Sequence, residues 1–135
     1  MNIPFLGRRR EDPRVHDAEG IGDLLADCDL LRSQARREGV GLDDSAYSLE
    51  QLDQVLPRWR SDEEIQSWLG NDAGLYLGTV IVRTVPGAVW SIRSDGQPVV
   101  RLASGREFDV VASGHAWAES GVPELSQLYA EVAEA

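Results

Sequence analysis

The chain has no lysine. Its thirteen basic residues are all arginine, against twenty-three Asp and Glu, for a formal net charge of −10. An acidic chain repels phosphate backbones, so nucleic acid is not an expected partner. Arginine in place of lysine throughout reads as coding bias with little functional weight. A single cysteine, Cys28, excludes an internal disulfide. The two histidines, His16 and His115, stand far apart, and no zinc-ligand spacing or HExxH occurs. Asp43-Asp44 and Asp62-Glu63-Glu64 lack the alternation of a calcium loop. The glycines form neither GxGxxG nor a GxxxxGK[ST] phosphate loop, and GxSxG is missing. No catalytic residue, metal or cofactor is therefore expected. No apolar run approaches the ~18 residues of a membrane span. The apolar start, Met1 to Gly7, precedes Arg8-Arg9-Arg10, the reverse of a signal peptide's order. The expectation is a cytoplasmic protein.

What is present suits one globular unit. A chain of 135 residues, 42% apolar and 27% charged, can build one true core and is too short for two ordinary ones. Residues 1–16 read as a mobile N-terminal arm, with mixed charge and two prolines. Two readings stand for it: a frayed terminus, or a docking peptide anchored by Ile3, Phe5 and Leu6. Residues 17–135 are expected to form a single α+β domain.

From Asp17, Ile21, Leu24, Leu25, Cys28, Leu31 and Ala35 recur at steps of three and four, predicting one helix closed by Gly39. Ser48-Leu49-Glu50-Gln51 fits a capping box opening a short helix that Pro57 terminates. Ser61-Asp62-Glu63-Glu64 fits a second, whose helix runs through Ile65, Trp68 and Leu69 to end at Gly70.

The stretch Asn71–Arg93 is the densest in apolar residues. Thr79 to Val85 is β-branched and reads as strand, yet Ala73, Leu77, Val80 and Ile81 repeat at helical steps. In a helix, Gly74 and Gly78 stack on one side, at a cost of about 1 kcal/mol each relative to Ala. That cost makes sense where another element must approach closely. Beyond Pro86-Gly87 the period becomes two: Ala88, Trp90 and Ile92 share a face, and Asp95-Gly96 signals a tight hairpin. Val100 and Leu102 belong to the return strand. After Ser104-Gly105, Phe108 and Val110 supply a third. The tail reads as a helix from Val111 to Glu119, then a terminal helix with Pro123 as its first residue and Leu125, Leu128, Tyr129 and Val132 as its stripe.

Asn71-Asp72-Ala73-Gly74-Leu75-Tyr76-Leu77-Gly78, with Val80-Ile81-Val82-Arg83 and Pro86-Gly87-Ala88-Val89-Trp90, resembles a family of small actinobacterial proteins whose function is not established. The similarity extends over Leu49–Ala135. It implies that the glycine-bearing segment is a helix leading into the Trp90 strand, and it brings no catalytic residues. Some comparable small domains accompany secreted toxin systems as immunity proteins. The expected fold is thus α+β: N-terminal helices, a glycine-bearing central helix, a three-stranded antiparallel meander and a C-terminal helix.

Candidate binding residues are Arg58, Trp59, Arg60, Tyr76, Arg83, Trp90 and His115. Arg58-Trp59-Arg60 has the composition of an interface hot spot. Its bland alternative folds Trp59 into the core while the arginines pair with Asp62 and Glu63. Trp68, Trp90 and Trp117 read as core. His115 suits a switch or, more ordinarily, a core-edge hydrogen bond. The leading functional reading is a non-enzymatic interaction module with a protein partner of basic or mixed charge; homodimerisation stays open. The alternatives are an immunity-like inhibitor of a basic toxin and a small-ligand domain or enzyme with its site near Tyr76, Arg83 and Trp90.

Overall fold

Two of the described helices, Asp29–Arg37 and Leu125–Ala133, have N-terminal N–H groups held by carboxylates of other helices. A computed structural model describes residues 21–134; the expected arm and His16 lie outside the described residues. Residues 21–25 are helical, but the predicted single helix breaks at Cys28, whose backbone is left-handed at φ 45°. The break rotates the apolar stripe, so Leu24 ends 72% exposed while Leu31 and Ala35 beyond it are fully buried. Helix α1, Asp29–Arg37, has no cap of its own; its Leu31 N–H donates to Asp72 Oδ2 at 3.2 Å. Gly39 closes it at φ 81°, as its sequence position predicts.

Helix α2, Ala46–Trp59, starts one turn earlier than the expected box. Ser45 is the cap, accepting from the Ser48 N–H at 3.3 Å, and Ser48 turns its hydroxyl back to the Ser45 carbonyl at 2.6 Å. Pro57 lies inside the helix, which continues two residues further to seat Trp59 in the core at 1% exposure. Helix α3, Glu63–Thr84, spans 22 residues. Asp62, not Ser61, caps it by accepting from the Ile65 N–H at 3.1 Å, with Glu63 and Glu64 in the first turn where the helix dipole favours acids. Gly70 does not end it. The β-branched Thr79-Val80-Ile81-Val82 run stays helical, because tertiary burial on both sides outweighs a local preference worth tenths of a kcal/mol per residue.

Pro86-Gly87 turns the chain into an antiparallel sheet of order β1-β2-β3: Val89–Ile92, Pro98–Arg101 and Glu107–Phe108. The Asp95-Gly96 hairpin holds as expected, with Asp95 Oδ1 accepting from Gln97 N–H at 2.9 Å. Helix α4, Val110–Ser120, is capped by Asp109 and closed by Gly121 at φ 78°. Helix α5, Leu125–Ala133, begins two residues after Pro123, which is therefore outside it and not its first residue.

One apolar cluster runs from Cys28 to Val132, drawing on the helices and on Val100 of the sheet. Its centre is the crossing of α3 and α4, where the glycines lie. A Cβ on Gly74 would stand 2.7 Å from Val111 Cα, and one on Gly114 would stand 2.7 Å from Gly74 Cα. Gly78 instead makes room for an indole: its Cβ would be 2.9 Å from Trp90 Cζ2. The close approach expected at Gly74 and Gly78 is thus real, with Gly70 and Gly114 as further members. Among the tryptophans, Trp59 and Trp117 are fully buried, whereas Trp68 and Trp90 are only partly so.

Candidate functional site

The seven candidate residues divide into three places. Arg58, Trp59 and Arg60 sit together at the end of α2, but burial of Trp59 removes it from any surface. Its indole N–H donates to Glu38 Oε2 at 3.3 Å, and Arg58 pairs with Glu38 Oε1 at 2.7 Å rather than with Asp62 or Glu63. Those two donors, Arg58 first, hold the Glu38 carboxyl below its ordinary range. Arg60 directs one nitrogen to the Glu119 carbonyl at 3.5 Å. An exposed Arg-Trp-Arg patch is therefore not what these residues form. His115 is on the exposed side of α4, its imidazole and Cα packed over Gly70.

Tyr76, Arg83 and Trp90 lie on neighbouring parts of α3 and β1. Tyr76 is fully buried. The Asp44 N–H donates to its hydroxyl at 2.8 Å, and the Ser48 hydroxyl lies 2.7 Å away. Because Ser48 gives its own proton to the Ser45 carbonyl, the order is fixed: Asp44 N–H to Tyr76 O–H to Ser48 O–H to Ser45 C=O. Burial raises the Tyr76 phenol above its ordinary range. Asp44, left-handed at φ 66°, places its carboxylate between Arg32, at 3.0 Å, and Arg83. Arg32 also donates to the carbonyls of Ala26, Asp27 and Leu42 and lies 5.2 Å over the Tyr76 ring. Each hydroxyl in this knot is already engaged, and Arg32 uses four of its five N–H donors. Its chemistry is positional: it clamps residues 26–44 onto α3 and holds Arg83 in place.

Arg83 in turn faces a cleft of about 550 Å³ lined by Gly22, Asp23, Ala26, Thr79, Val82, Arg83, Val89 and Trp90. Thr79, Val82 and Arg83 are spaced i, i+3, i+4 and form one helical wall. Residues 22–26 form the opposite wall, with Gly22 close to the Trp90 ring. Val89 and Trp90 are consecutive in a strand and point to opposite faces of the sheet. A cleft that both line must run along the edge of β1.

That edge is open among the described residues. The Arg93 N–H donates to the Gln97 carbonyl at 2.9 Å, and antiparallel alternation then assigns the bonded pairs to Ser91–Val99 and Val89–Arg101. Pro98, which has no N–H, falls opposite Ile92 at a non-bonded position, as this parity requires. The backbone groups of Trp90 and Ile92 therefore point outward, flanked by Val89 and Ile92 side chains that are 43% and 45% exposed.

The sequence placed Arg83 and Trp90 at one site but missed Asp44, Arg32 and the wall from residues 22–26. The i, i+3, i+4 spacing of Thr79, Val82 and Arg83 was a signal for one wall; nothing local linked it to Gly22 or Asp23. Among the described residues, no three His, Cys, Asp or Glu side chains are grouped to hold a metal. No described helix is long and apolar enough to cross a membrane. No curated protein and no solved structure matches the chain. Over residues 1–135 the chain belongs to DUF6278, a family of unknown function.

Proposed function

We propose that this member of DUF6278 is a non-enzymatic protein-interaction module that takes an extended segment of its partner along β1. The observation that carries the reading is the open β1 edge beside a cleft that can receive a side chain. Strand addition uses main-chain hydrogen bonds for affinity and a neighbouring pocket for specificity. Trp90 and Ile92 offer two N–H and two C=O groups, four bonds worth about 0.5–1.5 kcal/mol each before the cost of ordering the incoming chain. A micromolar or weaker complex is what such a short edge supports.

The same cleft favours one alternative. Arg83 beside the Trp90 indole suits a small anionic ligand with a flat apolar body. Ile92→Pro separates the two. Proline at Ile92 removes an outward N–H without touching a β1–β2 bond. Panning a displayed peptide library against the protein should enrich sequences whose binding Ile92→Pro abolishes. Enriched peptides indifferent to that change, or none at all, would sink the strand reading. A ligand that raises the melting temperature equally in both proteins would then favour the small-molecule site.

A further inference from the structure

The strand β1, Val89-Trp90-Ser91-Ile92, contains no charge and no proline. Natural edge strands are kept from pairing with one another by lysine, proline, a bulge or a charge turned into the sheet. None of these guards falls within β1; the sheet's proline, Pro98, lies on β2 opposite Ile92. The charges around the strand are balanced. Asp44 holds Arg83, Asp95 and Asp109 share Arg93, Glu107 stands opposite Arg101 on β3, and Asp23 lines the cleft. Nothing in that set selects a partner of one sign.

The outward groups of β1 are also self-complementary. The N–H and C=O groups of Trp90 and Ile92 point outward, while those of Ser91 are bonded to Val99. A second β1 laid antiparallel, with Ser91 on a two-fold axis, sets Trp90 of each copy against Ile92 of the other. Every outward group is then bonded, and the contact is closed and symmetric. Moving the axis to Trp90 leaves Ile92 opposite Ala88, whose N–H is already donated to the Val85 carbonyl. Moving it to Ile92 leaves Trp90 opposite Ser94, beyond the end of the strand. Directly opposed residues of an antiparallel pair share a face. Ile92 of the partner subunit therefore stands beside Trp90 on the cleft side, an aromatic–β-branched pair that occurs twice. Arg93 of the partner subunit falls opposite the exposed Val89, which its aliphatic stem covers.

Resting on the strand-addition reading, we infer that the segment β1 takes is the β1 of a second copy. Two three-stranded sheets become one of six strands about an axis through Ser91, and each cleft receives Ile92 of the partner subunit. A contact of one short strand a side is small beside ordinary stable interfaces, so the dissociation constant is on the order of 100 μM. The net charge of −10 on each chain opposes association at a distance, and salt screens it. An outside segment has to displace the second copy, so dilution opens the site.

The test follows the whole protein by sedimentation from about 10 μM to about 1 mM. It should pass from monomer to dimer over that range, with shifts of the Trp90 and Ile92 amide resonances. Raising salt from about 0.05 to about 0.5 M should tighten the dimer roughly two- to fivefold. Ile92→Pro removes two of the four bonds and should weaken it more than about tenfold. Ser91→Cys probes the register, because the axis brings the two Cα atoms to about 4.5 Å, within disulfide reach. Oxidised glutathione should link it into a covalent dimer at least about tenfold faster than Arg106→Cys, an exposed position in the turn before β3. A protein still monomeric at the highest concentration with both amides free overturns the second copy as occupant. So does a dimer that salt loosens, or one that survives Ile92→Pro and links Ser91→Cys no faster than Arg106→Cys. In each of these cases the strand site stands or falls with the displayed peptides alone. Trp90 and Ile92 amides already protected from exchange in the monomer would show the edge filled by the chain itself, and both readings would fall together.

Discussion

Gly114 and Gly74 meet backbone to backbone. A methyl group at Gly114 would stand 2.7 Å from the Gly74 Cα, closer than any real Cβ contact, and neither chain can yield without separating α3 from α4. Gly114→Ala is therefore expected to destabilise the protein by about 2–3 kcal/mol. In an open helix the same change would be worth about 1 kcal/mol in the other direction. Gly78→Ala makes a useful contrast, since its obstacle is the far edge of the Trp90 indole. It should cost less stability but disturb the cleft floor. Denaturant midpoints of the parent and the two variants decide the matter; a Gly114→Ala protein as stable as the parent would mean the two helices are not in contact as described.

How much of this was legible in the sequence depends on the range of each interaction. The Gly74–Gly78 spacing, the Pro86-Gly87 break, the Asp95-Gly96 turn and the meander were all readable, because each is set by residues within one turn of each other. The wrong boundaries were also local, but ambiguous. Ser45 and Ser48 are both plausible caps one turn apart, and Pro57 and Gly70 both read as stops. Trp59 and the α3–α4 contact need those helices to continue, and burial of the residues beyond prevailed. The clamp at Asp44 was not legible at all. Its partners Arg32, Tyr76 and Arg83 are spread over fifty residues, and no spacing rule connects them.

Asp53 shows the same limit and yields a sharp prediction. From the middle of α2 its carboxylate accepts from the N–H groups of Leu125 and Ser126, the Ser126 hydroxyl and the Trp117 indole, at 2.9, 3.1, 2.7 and 2.9 Å. It thus serves as the cap that Glu124, whose side chain makes no such bond, does not supply to α5. Asp53→Ala orphans those donors and should cost about 3 kcal/mol. The loss should appear first at the C-terminus, as faster amide exchange across Leu125–Ala133 than across α3. Uniform exchange in parent and variant would show that α5 does not depend on Asp53.

Cys28 should be inert in the folded protein. It is buried, its thiol directed to the carbonyls of Leu25 and Asp72 at 3.4 and 3.6 Å. Burial, with Asp72 adding to it, pushes the thiol from 9.0 up to about 12. Because only the thiolate attacks, a disulfide reagent at pH 8 should label it roughly a thousandfold more slowly than a free thiol, before access is considered. Labelling should reach the ordinary rate in denaturant. Rapid labelling under native conditions would show that the left-handed joint at Cys28 opens freely.

Asp72 has a pH dependence opposite to that of Glu38, Asp43 and Asp95. Burial raises its pKa, an effect that the Leu31 N–H opposes and the nearby Asp29 charge reinforces. A carboxyl with a raised folded-state pKa holds its proton more tightly when folded. Its contribution to stability is therefore greatest at low pH and is lost as pH rises through that pKa. Glu38, Asp43 and Asp95 are lowered, the first by Arg58, the second by Ser45 and the third by the Gln97 N–H. Their contributions are present at neutral pH and disappear on acidification. The two trends overlap in the whole-protein curve, so the difference between parent and Asp72→Asn is the quantity to measure. Asparagine keeps an oxygen for the Leu31 N–H and carries no charge to bury. The parent should match or exceed the variant at acid pH and fall behind it as the carboxylate ionises. A difference that grows in the parent's favour toward neutral pH would mean that the ionised Asp72 caps α1 more strongly than its burial opposes.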